Sequence, residues 1–113
     1  MNEHVDDLIA MNQSGLVLAL CEKYYAENVL MLSNGSVFAE SMKQAYDKQK
    51  GFVDSIKTFE VKLVSKTLIG NVADLIFHYK MTSADTKVTE YMGRHIQTWI
   101  DGKIVKEEYE SVD

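Results

Sequence analysis

Two titratable side chains near the end of the chain, His95 and Glu107, are the pair best suited to move a proton. An imidazole changes charge close to neutral pH. Beside a carboxylate in an apolar setting it can serve as a general acid or base, so both are candidate catalytic residues. Tyr79, Tyr91, Gln97, Trp99 and Tyr109 are aromatic and amide side chains of the kind that line a half-polar cavity. Each also has a plainer reading. His95 can be a buried histidine satisfied by one hydrogen bond, and Glu107 half of a structural ion pair. The aromatics can be ordinary β-core with their polar tips bonded.

The remaining reactive residue types carry less. His78 alternates away from Phe77 and Tyr79, which assigns it to the opposite face of a strand, and His4 lies close to the N-terminus. The one cysteine, Cys21, sits in an apolar run with no base placed near it by spacing, and reads as an inert buried thiol. No Cys/His spacing suggests a metal site, and there is no Gly-rich phosphate loop or Ser-centred elbow, so neither metal nor cofactor is expected. Twelve basic against seventeen acidic residues give a net charge of −5, which repels phosphate backbones and disfavours nucleic acid as a partner. The longest apolar run, Leu16 to Cys21, is six residues, against the roughly 20 needed to cross a bilayer. The N-terminal MNEHVDD is acidic where a secretory signal is basic, so a cytoplasmic protein off the membrane is expected.

The elements that must position these residues follow from periodicity. At 113 residues, 46% of them hydrophobic, the chain makes one domain, residues 1–113, with a single core. Val5, Leu8, Ile9 and Asn12 share one helical face that Asn2 can cap, and Ser14 can cap a second short helix through Leu16, Leu20 and Tyr24. A short apolar stretch, Asn28 to Leu32, stops at Asn34-Gly35. Phe38, Met42 and Tyr46 then recur at helical spacing in a third helix that Gly51 ends or kinks. After residue 56 the period changes. Four runs rich in β-branched and aromatic residues, 57–68, 72–82, 86–99 and 103–112, are separated by breaks short enough for antiparallel neighbours only, which predicts a four-stranded meander.

Facing can be argued from register. A plain two-residue turn at Gly70-Asn71 would mismatch the apolar sets of its strands, because a one-residue slip flips every side chain. A longer loop or a bulge restores the match, with Leu63 opposite Phe77 and Val61 opposite Tyr79. A three-residue turn at Ile100-Asp101-Gly102, with Gly in the left-handed position, would place His95, Gln97 and Trp99 on the face of Val105, Glu107 and Tyr109, with His95 opposite Glu107. Val64, Ile76 and Ile96 then share the outer face, a candidate homodimer interface. The helix bearing Met42 and Tyr46 would close the pocket.

The segment Asn12 to Leu16 (NQSGL) with Tyr24 to Val29 (YYAENV) resembles a turn and helix-end motif of the nuclear transport factor 2-like superfamily. The end of the chain, HIQTWIDGKI from His95 with Glu107-Glu108-Tyr109, resembles the last hairpin of its SnoaL-like branch. The resemblance covers essentially the whole chain. It implies an α+β cone in which N-terminal helices pack on a curved antiparallel sheet around a pocket, commonly as a dimer through the outer sheet face. It also implies a small apolar ligand and, among relatives, isomerase, cyclase or dehydratase chemistry alongside non-catalytic binders. The chain departs from the isomerase pattern: Ser33 stands where that mechanism has its base, Asp7 where it has a tyrosine, and the acidic partner falls at or next to His95. Tyr109 stands where the cyclases have an acid/base Asp. The expected function is therefore a small-molecule pocket with acid/base chemistry as one outcome, and a ligand-binding or interaction module as the alternative.

Overall fold

The computed structural model describes residues 1–112. Three helices, α1 (Asn2–Gln13), α2 (Val17–Tyr24) and α3 (Met42–Asp54), pack on one six-stranded sheet. Its strands are β1 (Tyr25–Ser33), β2 (Ser36–Ala39), β3 (Ile56–Ile69), β4 (Val72–Ser83), β5 (Val88–Ile100) and β6 (Lys103–Val112), in spatial order β2-β1-β6-β5-β4-β3. The fold is α+β, a cone of helices closed over a curved sheet.

The four expected strands are present, but the sheet is larger and mixed. Asn28 to Leu32 belongs to β1, which pairs parallel with β6, and Phe38 lies in β2 instead of opening the third helix. The hairpin at Asn34-Gly35, where both residues take positive φ, turns β1 back onto β2. The third helix starts later, at Met42. Its N-cap is Ser41, whose side chain accepts from the Gln44 amide at 3.1 Å, while Gln44 Oε1 accepts from the Glu40 amide at 2.9 Å. The first bond satisfies one of the orphan donors at the helix start, and the second ties the residue before the cap to the first turn. The helix passes through Gly51 without ending there and stops at Asp54. Asn2 is inside α1 and caps nothing; its side chain accepts from Lys66 instead. Ser14 closes α1, and α2 begins after Leu16.

Both registers are set by bulges. The β3–β4 turn is the two-residue Gly70-Asn71, with Gly70 at φ +58°, and Val64 is the extra residue that places Leu63 opposite Phe77 and Val61 opposite Tyr79. The β5–β6 connection is not the three-residue turn. Ile100 pairs with Lys103, and Asp101 and Gly102 both have positive φ, the type I′ pattern. The parity this would reverse is recovered within two residues, because Trp99 pairs with Ile104 and Thr98 with Lys106, leaving Val105 as the extra residue. Ile104, not Val105, is thus the buried partner of Trp99.

The core lies between the helices and the inner sheet face. Val5, Leu8 and Ile9 of α1 and Leu20, Cys21 and Tyr24 of α2 meet Ala73, Leu75, Phe77 and Tyr79 of β4. On the outer face Ile76 and Ile96 are half-buried and Val64 is exposed. No helix among the described residues is long and apolar enough to cross a membrane.

Candidate functional site

A cavity of about 300 Å³ opens inside the cone. Helix α1 contributes Leu8 and Asn12, α2 contributes Val17, Leu20 and Cys21, and the sheet contributes Phe77, Tyr79, Tyr91, His95, Gln97, Glu107 and Tyr109. Alternation explains the sheet set: these residues occupy every second position of β4, β5 and β6, and their neighbours Asp74, Arg94 and Glu110 pair on the outer side.

Glu107 lies on the floor, 3% exposed, and is opposite Gln97. His95 is opposite Tyr109, so it reaches Glu107 on the diagonal and not across the pair. Glu107 Oε1 accepts from the Tyr25 hydroxyl (3.1 Å) and lies 3.3 Å from His95 Nδ1, and Oε2 accepts from Gln97 Nε2 at 2.8 Å. Burial pushes this carboxyl up. The hydrogen bond and charge of His95, with the bonds from Gln97 and Tyr25, reverse that and hold it below the ordinary range. It is therefore a carboxylate, an acceptor only, so His95 Nδ1 carries the hydrogen of that contact. Gln97 is oriented independently: the Trp99 indole, which can only donate, gives its N–H to Gln97 Oε1 at 3.2 Å.

The other ring nitrogen, His95 Nε2, is 2.7 Å from the Tyr79 hydroxyl, which also accepts from Asn12 Nδ2 at 3.3 Å. With Nδ1–H committed to Glu107, a neutral His95 accepts the Tyr79 proton at Nε2. Burial holds the Tyr79 phenol well above its usual range, so this hydroxyl keeps its proton. The result is one directed chain, Trp99 to Gln97 to Glu107, and Tyr79 to His95 to Glu107. Every buried polar side-chain atom among the described residues has a partner.

The placement of the sequence candidates is mixed. His95, Glu107, Tyr79, Tyr91, Gln97 and Tyr109 line the one cavity. Trp99 does not: it is 3% exposed and packs behind the wall against Tyr24 and His4, at ring separations of 5.4 and 6.4 Å. Helix α3 meets the cavity through Lys48, Gln49 and Phe52, not through Met42 and Tyr46, which pack against the core. Phe38 of β2 is on the wall as well. Cys21 is buried and its thiol is pushed up to about 12, first by burial and then by the charge of Glu107, so it stays unreactive. Asp7 is away from the cavity, bonded to Tyr24 and Lys23, whereas Ser33 is on its wall. His78 lies on the outer face beside Glu90, at 3.5 Å.

Asn12 and Tyr25 are polar members of the site that spacing alone does not reveal. Asn12 shares the apolar face of α1, but its reach to Tyr79 spans 67 positions of sequence. Tyr25 reaches Glu107 because β1 is irregular: Tyr25 pairs with Ile104 and Leu30 with Lys106, so the intervening residues bulge from the sheet. No group of three or more His, Cys, Asp or Glu that could hold a metal occurs among the described residues.

This architecture is the nuclear transport factor 2-like fold. A Mesorhizobium loti protein classed as a SnoaL-like polyketide cyclase superposes with a TM-score of 0.78, over 96% of each chain, at 17% identity. A nuclear transport factor 2-like protein of unknown function from Burkholderia pseudomallei gives 0.81 over 97% of this chain and 88% of its own, at 10% identity. A Catenulispora acidiphila protein of ketosteroid isomerase-like fold, solved with trimethylamine, gives 0.77 over 95% of this chain and 83% of its own, at 12% identity. No protein-family model and no curated protein matches the chain by sequence.

Proposed function

We propose that the chain is a small-molecule pocket protein of the SnoaL-like type that binds a compact, largely apolar molecule in the cone and moves a proton at one of its polar positions. The observation that carries this reading is the Glu107–His95–Tyr79 chain ending at a cavity lined mainly by apolar and aromatic side chains. Both oxygens of Glu107 are already engaged within the protein, so its part is to fix the tautomer of His95 and to stabilise an imidazolium. Tyr79 occupies Nε2, so the proton travels through it. A ligand C–H gives its proton to the Tyr79 oxygen as the phenolic proton passes to Nε2, and the C–H electron pair moves into the ligand as an enolate. The reverse sequence returns the proton.

Incubation with 2-indanone in D2O, followed by NMR, tests the reading. Exchange of the ketone's α-protons above the buffer rate is expected, lost in His95→Gln and Tyr79→Phe while 2-indanone still binds. Exchange unchanged in both variants would overturn it. The alternative, a binder without chemistry, draws on the closure of the whole chain within the protein, and is the outcome if 2-indanone binds with no exchange. A homodimer through Val64, Ile76 and Ile96, in the cytoplasm, belongs to the same proposal.

A further inference from the structure

Among the residues that line the cavity, one carries a fixed positive charge, Lys48 of α3. Two other lysines of this helix are balanced along its own surface: Lys43 pairs with Asp47 at 3.1 Å and Lys50 with Asp54 at 2.9 Å. Lys48 has no such partner. The residues four positions to either side of it are Gln44 and Phe52. No carboxylate among the described residues lies within ion-pair distance of its ammonium.

The side chain does not extend freely into solvent either. Its Nζ donates to the Phe38 carbonyl on β2 and stands over the Phe38 ring, 5.0 Å from the centroid. Phe38 is itself part of the cavity wall, so the ammonium is drawn to the rim of the cavity, with one of its three N–H donors in use. The cavity's fixed negative charge lies elsewhere. Glu107 is buried on the floor with both oxygens engaged within the protein, whereas Lys48 is exposed. An anionic group in the cone is therefore repelled at the floor and attracted at the rim, and the ring-lined interior favours an apolar group.

We infer that Lys48 is the binding residue for a carboxylate on the bound molecule, so that the ligand of the cone is an apolar body with one acidic end, held apolar end inward. The inference rests on the pocket reading and narrows its ligand class. A carboxylate at the rim takes up the donors of Lys48 that Phe38 leaves unused, as a charge-assisted hydrogen bond. A single lysine matches a single negative charge. A phosphate monoester, with close to two charges, would stay half uncompensated in a chain whose net charge is already −5.

The test compares 4-phenylbutanoate with 4-phenylbutanamide, its uncharged counterpart, by calorimetry at neutral pH. Wild type should bind the carboxylate more tightly than the amide by roughly fivefold, the size of one partly exposed charge pair. Lys48→Gln should lower carboxylate affinity to the level of the amide and leave amide affinity unchanged. Lys48→Arg, which keeps the charge, should retain the preference, and Lys43→Gln, whose lysine lies off the cavity, should behave as wild type. Added salt should weaken the carboxylate and spare the amide in wild type, a readout that depends on no variant. Equal affinities in wild type, or a carboxylate preference that survives Lys48→Gln, overturn the inference and leave the pocket reading standing. Binding of 2-indanone without binding of either probe does the same. If none of the three compounds binds, both readings fall.

Discussion

Glu107 is the residue on which most of the site depends. Three donors, from Tyr25, His95 and Gln97, converge on one carboxylate at the floor of the cone. Deleting it would leave three buried polar groups without their acceptor, the costly half of a buried hydrogen-bond network. Glu107→Leu should therefore lower stability by ~3 kcal/mol in urea unfolding, and Glu107→Gln by less, since it keeps one acceptor oxygen. The same carboxyl gives a pH signature. Its folded pKa lies below the ordinary carboxylate range, so its contribution to stability is fully present above that range and is lost as pH falls through the lower, folded value. Asp74, held down by its hydrogen bond with Arg94 against a smaller opposing effect of burial, acts in the same direction. Wild type should lose stability below about pH 4.5, and Glu107→Gln should show a shallower acid limb. An identical slope in the variant would show that Glu107 is not the group responsible.

At the scale of elements, the site depends on how strands are held in register and helices are started. Two-residue turns at Gly70-Asn71 and Asp101-Gly102 would each set inward residues on the wrong face, and the extra residues Val64 and Val105 reverse that error. Bulges of this kind bend a strand and add twist, which is what curling a sheet into a cone requires. Helix α3 closes the cavity with Lys48, Gln49 and Phe52, and its start is fixed by Ser41 and Gln44. Ser41→Ala removes the acceptor for the Gln44 amide and should cost ~1 kcal/mol in chemical denaturation. Gly93→Ala, by contrast, should alter ligand contacts more than strand pairing. A glycine inside a strand pattern marks either a bulge or a close approach. The structure shows the second, with the ring of Tyr109 over the backbone.

At the scale of the molecule, the outer sheet face is the feature left open. Val64, Ile76 and Ile96 lie on it among the Asp74–Arg94–Glu110 ion pairs, an amphipathic surface that a two-fold related copy could cover. The proposed homodimer should appear in light scattering at tens of micromolar, about ten times a weak micromolar dissociation constant. Ile96→Glu, which adds a charge beside Glu108 on β6, should shift it to monomer. A wild-type monomer at that concentration would overturn the assignment.

The sequence by itself determined the class of fold and the inward side of its four long strands. Those follow from periods of 3.6 and 2 and from short breaks, which are local properties of the chain. It also brought His95, Glu107, Tyr79, Tyr91, Gln97 and Tyr109 to a common face. What only the tertiary structure decided is non-local. The parallel pairing of β1 with β6 joins segments far apart in sequence, and no periodicity encodes it. The two-residue turn and the bulge at Val105 together make Glu107 the partner of Gln97 instead of His95, a shift of two residues that keeps every side chain on its face, so hydrophobic pattern tolerates either form. Trp99 shares the alternation of its neighbours, yet the packing of His4 and Tyr24 on the indole takes it out of the cavity wall. Alternation names a face of the sheet. The helices laid across that face decide which part of it is core and which part is pocket.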